Sequence, residues 1–208
     1  MNRCVIIGGA EIKRYDRARS LIRQDDFIVC CDSGLAHSEP LGVRPKLIVG
    51  DFDSHENPHM DVETIVLPRE KDDTDTFYAA KLTLERGYGD FLLLGVAGGR
   101  LDHTLGNISL MQMLALKGKK CVAVDDYSDM EFVLPGAIYT VNDTYAYFSL
   151  LNVSGTAKGV TIKNAKYPLD DAVITCEYAY AISNEPLASK TAEITLNEGR
   201  LLLVRVFR

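Results

Sequence analysis

The sequence predicts an α/β domain with a mostly parallel sheet, followed by an all-β sandwich domain. Up to about residue 126, short apolar runs alternate with helical stretches, which is typical of crossover connections between parallel strands. Beyond that point, short runs rich in Val, Ile, Thr, Tyr and Phe follow one another at intervals of about 8–12 residues, which favours a sandwich. We therefore predict a Rossmann-like domain over residues 1–126 and a β-sandwich over 127–208.

Short apolar runs in the first domain predict its strands. They are mainly aliphatic and end at Gly, Asp or Pro, as expected of strands buried on both faces. Apolar residues at helical spacing, for example Phe77, Ala80 and Leu84, predict the connecting helices. The predicted helices cover residues 14–23, 74–86 and 103–116. The apolar runs, with the turn residues that bound them, are CVIIGG (4–9), FIVCCDSG (27–34), KLIVGDFDS (46–54), ETIVLP (63–68), DFLLLGVAGG (90–99) and KKCVAVDD (119–126).

The second domain has a different sequence pattern, with short runs rich in β-branched and aromatic residues. Its runs are divided by turn signals such as Asn197-Glu198-Gly199. The runs are MEFVLPG, AIYTVND, TYAYFSLLN, KGVTIKN, DAVITCEYAYAIS, TAEITLNEG and RLLLVRVFR.

Composition and charge exclude several classes of protein. Of the 208 residues, 47% are hydrophobic and 25% charged, and no apolar run approaches the ~18 residues that span a bilayer. The net charge is −6 and no block of Lys and Arg occurs, so a nucleic-acid surface is not predicted. There is no signal-peptide core, and Cys4, Cys30, Cys31 and Cys121 lie in or beside apolar runs, which indicates reduced core thiols. We expect a cytoplasmic protein with no membrane or nucleic-acid partner.

Aspartates follow several of the predicted strands. Asp32, the pair Asp51 and Asp53, and Asp102 follow three different apolar runs, and the carboxyl ends of parallel strands meet at one edge of a sheet. In an extended segment, Asp51 and Asp53 would share a face while Phe52 packs. The sequence therefore predicts that these carboxylates converge.

Converging carboxylates repel one another unless a cation lies between them. Mg²⁺ prefers oxygen ligands and leaves coordination positions for phosphate oxygens, so the pattern predicts a magnesium site for a polyphosphate. Backbone N–H groups of glycine turns and an Arg side chain would bind the phosphates. The candidates for this role are Gly8, Gly9, Gly98, Gly99 and Arg100.

Structural roles are alternatives for some of these residues. Asp32 could cap a helix, and the acids of the run 72–75 lie where a helix is predicted to start, so N-capping could explain two of them. Gly98-Gly99 could be only a tight turn. His55 and His59 lie in a segment interrupted by Pro58, where a metal site is not expected.

Three motifs, taken in order, resemble the thiamine pyrophosphokinase family of bacterial type. They are GDFDS (50–54), KDDTDT (71–76) and GGRLDHTLGN (98–107). Further along, NAKYPLDD (164–171), AISNEP (181–186) and the final EGRLLLVRVF are similar to that family's β-domain. The resemblance covers nearly the whole chain. It implies a homodimer that transfers the pyrophosphoryl group of ATP to the hydroxyl of thiamine, giving AMP and thiamine diphosphate with Mg²⁺. In that scheme the first domain binds ATP and Mg²⁺ and the second binds thiamine.

The resemblance also implies roles for single residues. Asp51, Asp53 and Asp75 match the family's metal- and phosphate-handling acids, and Asp102 matches a further catalytic acid. Asp102 and Asp72 are alternative proton acceptors from the thiamine hydroxyl. His103 stands where other members have Gln and receives no role. The remaining matches, all in substrate pockets, are Asp32, Asp72, Thr74, Arg100, Tyr167, Ser183 and Asn184.

Two rival functions come from other classes. Asp51-Phe52-Asp53-Ser54 after a buried strand resembles the nucleophile turn of haloacid-dehalogenase phosphohydrolases, in which Asp51 would be phosphorylated. Two strand-like runs before it and a sandwich after it disfavour that hypothesis. A nucleotide-binding regulator without catalysis is disfavoured because binding alone needs fewer carboxylates.

Overall fold

The computed structural model describes residues 2–52, 60–70 and 72–208, and the chain divides into two compact units. The first unit runs up to Asp126 and the second is Tyr127–Arg208. Within the described ranges, no helix combines the length and the apolar character needed to cross a membrane.

The first unit is built on a parallel sheet. Its strands lie in the order β6-β5-β1-β2-β3-β4, and every neighbouring pair is parallel. The strands are β1 (Arg3–Ile7), β2 (Phe27–Cys31), β3 (Leu47–Gly50), β4 (Glu63–Val66), β5 (Asp90–Leu94) and β6 (Lys120–Val124). The predicted parallel sheet is confirmed. The strands are shorter than the apolar runs because the runs include the turn residues that follow each strand.

Helices cover the sheet. The helices are α1 (Tyr15–Leu21), α2 (Ser38–Leu41), α3 (Asp75–Glu85) and α4 (Leu101–Leu116), and a 3₁₀ helix spans Asp32–His37. Alternate strand residues share a face, so Val5, Ile7, Ile28 and Cys30 pack together with Ala18 of α1. The 3₁₀ helix and α2 were not among the predicted helices, because they are too short to show a helical period.

The second unit consists of two antiparallel sheets. Their strand orders are β12-β9-β14-β7 and β11-β10-β13-β8. The run 171–183 contains parts of two of these strands. The strands are β7 (Ser128–Val133), β8 (Tyr139–Val141), β9 (Tyr145–Leu151), β10 (Thr156–Lys163), β11 (Leu169–Thr175), β12 (Ala181–Asn184), β13 (Ala192–Thr195) and β14 (Leu201–Phe207).

One apolar core joins the two sheets of the second unit. Phe148 and Leu203 come from one sheet and Ile162 and Ile194 from the other, and all four side chains are fully or almost fully buried in the same cluster. The predicted antiparallel β domain is therefore confirmed, with a core of alternating inward-facing residues.

The cysteines predicted in the core are buried. Cys4, Cys30, Cys31 and Cys121 are buried free thiols, whereas Cys176 is exposed. Burial raises the pKa of both Cys4 and Cys30 to about 12, so these thiols stay protonated and unreactive.

Candidate active site

A cleft of about 690 Å³ lies at the carboxyl ends of the strands of the first unit. Parallel sheets bind ligands at this edge, where turns from separate strands come together. Ten of the predicted site residues line the cleft: Gly8, Gly9, Asp32, Asp51, Asp72, Thr74, Asp75, Gly98, Gly99 and Arg100. Sequence segments far apart in the chain therefore meet here, as the strand-end positions predicted.

Asp32 occupies a strained position at the end of β2. Its φ of 42° is in the left-handed region, which costs energy for a residue other than glycine. Its Oδ1 atom is buried and accepts no hydrogen bond from the residues that the structure describes. Gly50 of β3 allows this approach, because a Cβ atom there would lie 3.1 Å from the Asp32 Cα atom. Asp32 thus lines the cleft and carries a buried carboxylate oxygen without a donor in the described residues. It is not the helix cap considered above, since the residue before the 3₁₀ helix is Cys31.

Asp51 lines the cleft, but the extended geometry expected around it is wrong. Strand β3 ends at Gly50, and Phe52 has a φ of 53°. The backbone therefore turns at Phe52, and the rule that residues i and i+2 share a strand face does not apply. Asp53 lies outside the described residues.

The start of α3 places Asp75 in the cleft. The N-cap is Thr74, whose Oγ1 accepts a hydrogen bond from the Phe77 N–H over 3.3 Å. Asp73 instead forms an ion pair with Lys81 over 2.6 Å. N-capping therefore explains none of the three aspartates in the run 72–75, and the helix dipole favours the negative charge of Asp75 in the first turn.

Glycines allow the backbone at the floor of the cleft to pack closely. Gly8 donates to the Leu94 carbonyl over 2.8 Å, and a Cβ atom on Gly8 would lie 2.6 Å from the Gly95 oxygen. A Cβ atom on Gly34 would overlap the Ile7 carbonyl. Gly8 was predicted, whereas Gly34 and Gly95 were missed because their role depends on contacts between strands rather than on a local motif.

The turn before α4 contains the second glycine pair. Gly98 and Gly99 have φ values of 107° and 63°, and a Cβ atom on either would meet nothing within 4 Å. Glycine is needed here for its backbone conformation and not for space. The Gly98 N–H donates to Thr104 Oγ1 over 3.1 Å, which closes the turn onto the first turn of the helix.

The structure does not bring Asp102 into the cleft lining. Arg100 Nη2 donates to Asp102 Oδ2 over 2.6 Å, and both side chains are exposed. Hydrogen bonding from the Arg100 guanidinium lowers the pKa of the Asp102 carboxyl to about 2. At neutral pH Asp102 is therefore ionised and a weak proton acceptor.

Two further lining residues on α4 lie within the motif 98–107, although neither was assigned a role from the sequence. His103 lies in its first turn, and Asn107 follows one turn later with a buried side chain whose Nδ2 donates to the Val96 carbonyl over 2.8 Å. This bond sets the orientation of the amide, so that Oδ1 is the atom left to accept a hydrogen bond. The i, i+4 spacing from His103 could have identified Asn107 from the sequence.

The oxygen-rich lining suits a hard divalent cation. Asp32, Asp51 and Asp75 offer carboxylate oxygens, and the buried Oδ1 of Asp32 lacks a donor in the described part of the chain. Among residues 2–52, 60–70 and 72–208, no group of three or more His, Cys, Asp or Glu side chains is already arranged to hold a metal ion. Asp53, the third predicted ligand, is not in those ranges.

The second unit has a separate pocket of about 390 Å³. Tyr167 and Asn184 line it, with Tyr180 and Ile182. The buried Asn184 side chain accepts from the Tyr167 N–H over 3.0 Å and donates to the Tyr167 carbonyl over 2.8 Å. Ser183 is exposed, with a φ of 57°, and is not part of the lining.

Comparison with known proteins decides the family. Residues 18–123 match the model of the "Thiamin pyrophosphokinase, catalytic domain", and residues 137–201 match that of the "Thiamin pyrophosphokinase, vitamin B1 binding domain". The chain belongs to the thiamin pyrophosphokinase family. It is a diphosphotransferase of that family, whose members use ATP to pyrophosphorylate thiamine.

Individual relatives agree with the family match. The chain is 30% identical to thiamine pyrophosphokinase of Bacillus subtilis over 181 residues, 84% of each sequence. A solved thiamin pyrophosphokinase from Geobacillus thermodenitrificans is 30% identical, with a TM-score of 0.84 over 99% of this chain and 98% of that one. The Bacillus subtilis crystal structure superimposes with a TM-score of 0.87 over 100% of both chains, at 24% identity. The haloacid-dehalogenase alternative finds no support in these matches.

Proposed function

We propose that this chain transfers the pyrophosphoryl group of ATP to the hydroxyl of thiamine in a Mg²⁺-dependent reaction, giving thiamine diphosphate and AMP. The observation that supports this best is the meeting of Asp32, Asp51 and Asp75 with two glycine turns in one cleft. Carboxylates bind cations and glycine turns bind phosphate oxygens, so the lining suits a metal–polyphosphate complex.

We assign the metal to Asp51, Asp53 and Asp75. When bound, Mg²⁺ would neutralise charge on the phosphate oxygens of ATP and act as a Lewis acid. The unsatisfied Asp32 Oδ1 adds a further oxygen acceptor to the same lining. The positive end of the α3 dipole partly offsets the repulsion between these acids.

The phosphates themselves are bound by donors from three places. Gly9 and Gly99 line the cleft and each has a backbone N–H group, whereas the Gly98 N–H already donates to Thr104. Arg100 adds the guanidinium N–H groups that its pairing with Asp102 leaves over. Thr74 uses its side chain to cap α3, so its part is to orient that helix toward the phosphates.

The transfer needs one bond to form and one to break. The hydroxyl oxygen of thiamine attacks the β-phosphorus of ATP, and the bond from that phosphorus to the α–β bridging oxygen breaks, so that AMP leaves. The hydroxyl proton goes to Asp72, because Asp72 lines the cleft whereas Asp102 is paired with Arg100 and weakly basic. Asp102 then acts as a positioning residue for Arg100.

We assign thiamine to the pocket of the second unit. Tyr167 offers an aromatic surface and is held in place by the buried Asn184. Ser183 directly precedes Asn184 in the sequence. We propose that a second copy of the chain brings this pocket to the cleft, so the active enzyme is a homodimer. The reduced thiols support a cytoplasmic location.

One assay tests the proposed function. The protein is mixed with ATP, thiamine and MgCl₂, and nucleotides are separated after incubation. The proposal expects AMP and thiamine diphosphate in equal amounts, neither of which forms without thiamine or with EDTA. Formation of ADP or free phosphate instead of AMP would contradict it, as would binding of ATP with no thiamine-dependent turnover.

A further inference from the structure

His37 connects three segments of the first unit beneath the cleft. It is the last residue of the 3₁₀ helix and is buried, with 9% of its surface exposed. Its Nδ1 atom is 2.7 Å from the hydroxyl oxygen of Tyr15, and its Nε2 atom is 3.0 Å from the carbonyl oxygen of Ala10. The three residues belong to the 3₁₀ helix, to α1 and to the loop after β1.

The chemistry of the two partners fixes the state of the imidazole. A carbonyl oxygen can only accept a hydrogen bond, so Nε2 must be the protonated nitrogen. In the neutral ring Nδ1 then accepts from the Tyr15 hydroxyl. Burial lowers the pKa of His37, which favours the neutral ring. Both nitrogens are therefore satisfied, and the ring has one defined tautomer and orientation.

Ala10 is the residue of this trio that lines the cleft. Its N–H donates to the Gly95 carbonyl over 2.9 Å, and its own carbonyl accepts from His37. Gly8 likewise donates to Leu94. In the described part of the chain, the N–H groups of Gly9 and Glu11 have no hydrogen-bond partner, although both residues line the cleft. Bonded and free N–H groups thus alternate along the loop, as they do along an extended edge.

We propose that His37 is a positioning residue that sets the plane of the Ala10–Glu11 peptide and so aims the free N–H group of Glu11 at the phosphates of ATP. This inference rests on the proposed function of the cleft. His37 touches neither substrate nor reacting atoms and acts only through Ala10. The peptide between Ala10 and Glu11 is the direct link, because the carbonyl held by His37 and the N–H of Glu11 are two ends of the same planar group.

Two substitutions separate the two hydrogen bonds of His37. A Gln side chain places its amide nitrogen near the position of Nε2 and can still donate to the Ala10 carbonyl, whereas an Asn side chain reaches only as far as Nδ1. H37Q therefore keeps the bond that the proposal needs, and H37N loses it. Y15F keeps His37 but removes the donor to its Nδ1. Thr83→Val is a matched control, because it removes another buried hydrogen bond of the same unit, from Thr83 Oγ1 to the Ala79 carbonyl, away from the cleft.

The experiment measures KM for ATP, KM for thiamine, kcat and the Tm of each variant, and also the Kd for Mg·ATP by calorimetry. H37N should raise KM and Kd for ATP by about fivefold to tenfold, as expected for one lost hydrogen bond, with KM for thiamine within about twofold. The Kd of H37Q for ATP should stay within about threefold of that of the original chain, and the Kd of Y15F should lie between those of H37Q and H37N. T83V should lower Tm without changing KM for ATP.

Three outcomes would overturn the inference. They are an unchanged Kd for ATP in folded H37N, an equal defect in H37Q and H37N, and a defect in T83V as large as that in H37N. If H37N does not fold, H37Q and T83V still decide, because an H37Q chain that binds ATP about tenfold more weakly, while T83V binds it normally, contradicts the proposal. A chain that binds Mg·ATP but makes no AMP would refute the proposed function, while the calorimetric series would still test His37.

Discussion

Arg100 and Asp102 form a two-bond ion pair at the start of α4. Arg100 Nη2 donates to Asp102 Oδ2 over 2.6 Å, and Nε donates to Oδ1 over 3.2 Å. Arg100 is the residue before α4 and Asp102 is in the first turn of α4. Arg100 lines the cleft and Asp102 does not, so the guanidinium is held by a carboxylate outside the lining. This pairing supports the assignment of Asp102 as a partner of Arg100 in the proposed function.

This relationship predicts a difference between two aspartates. Asp72→Asn should lower kcat by about a hundredfold or more, because it removes the proposed proton acceptor. Asp102→Asn should change kcat by less than about tenfold, because a carboxyl with a pKa of about 2 takes up little proton at neutral pH. Initial rates at saturating ATP, thiamine and Mg²⁺ check this. The reverse order of effects would return the role of base to Asp102.

The acid cluster predicts a loss of turnover without a loss of fold. Asp75→Asn should lower kcat by at least about a hundredfold, since a charge that balances a bound cation is removed. Its Tm should be nearly unchanged, because Asp75 is not the N-cap of α3. Asp16→Asn, an exposed acid on α1, is the matched control and should change neither quantity. A D75N enzyme with a normal rate at saturating Mg²⁺ would show that the metal assignment is wrong.

How far the sequence could predict the site depends on the kind of contact involved. Asp32 and Asp51 could be brought together from sequence, because parallel strands necessarily end at one edge. Asp75 was identified by the resemblance and not by the strand ends. The direction of the Asp102 side chain could not be predicted, since in the first turn of a helix it is set by its local partner, Arg100.

Close contacts between backbone segments also could not be predicted from the sequence. Gly34 and His37 matter because of what other segments place beside them, the Ile7 and Ala10 carbonyls, and no local pattern marks such neighbours. The left-handed φ of Phe52 is a further case, because an apolar residue in an apolar run predicts continued strand. Topology was thus predictable, and the positions of individual side chains and turns were not.

Two glycines of the first unit predict opposite effects of the same substitution. Gly34→Ala should lower the free energy of unfolding by more than about 2 kcal/mol, because its Cβ atom would overlap the Ile7 carbonyl and backbone cannot move aside cheaply. Gly106→Ala should raise it by up to about 1 kcal/mol, since Gly106 is inside α4 and a Cβ atom there meets nothing within 4 Å. Urea unfolding of both variants measures the difference. A G34A chain with an unchanged free energy of unfolding would show that β1 and the 3₁₀ helix can move apart to admit the Cβ atom.

A buried ion pair predicts how stability depends on pH. Asp26 has a side chain only 1% exposed, and it accepts from Arg3 Nε over 2.8 Å and from Arg3 Nη2 over 2.6 Å. Burial alone would raise the pKa of Asp26, but the hydrogen bonds from Arg3 and from the Arg23 N–H outweigh it, so the pKa lies below its ordinary value of 3.8. The unfolded chain therefore binds this proton more readily. The contribution is complete above the unfolded pKa and is lost as the pH falls through the lower, folded value.

Asp26→Asn should therefore lower the free energy of unfolding by about 3 kcal/mol or more at pH 7, since it leaves Arg3 without its buried partner. The loss should shrink as the pH falls below 3.8, because the unaltered unfolded chain takes up the proton first and the folded carboxylate follows at lower pH. Asp25→Asn, at the exposed neighbouring position, is the control and should have little effect. Urea unfolding between pH 2 and 7 checks the trend, and a D26N effect of constant size over that range would contradict it.

Asn184 links the stability of the second unit to the proposed thiamine pocket. Besides its two bonds to Tyr167, its Oδ1 accepts from the Glu185 N–H over 2.9 Å, and only 4% of the residue is exposed. Asn184→Ala should therefore lower the free energy of unfolding by about 2–3 kcal/mol, from three lost hydrogen bonds. It should also raise KM for thiamine by about tenfold while leaving KM for ATP unchanged, because Tyr167 is no longer held in place. Asn142→Ala also removes side-chain hydrogen bonds, to Thr144, but lies outside the pocket lining, so it should leave KM for thiamine unchanged. A folded N184A enzyme with an unaltered KM for thiamine would move the thiamine site away from Tyr167.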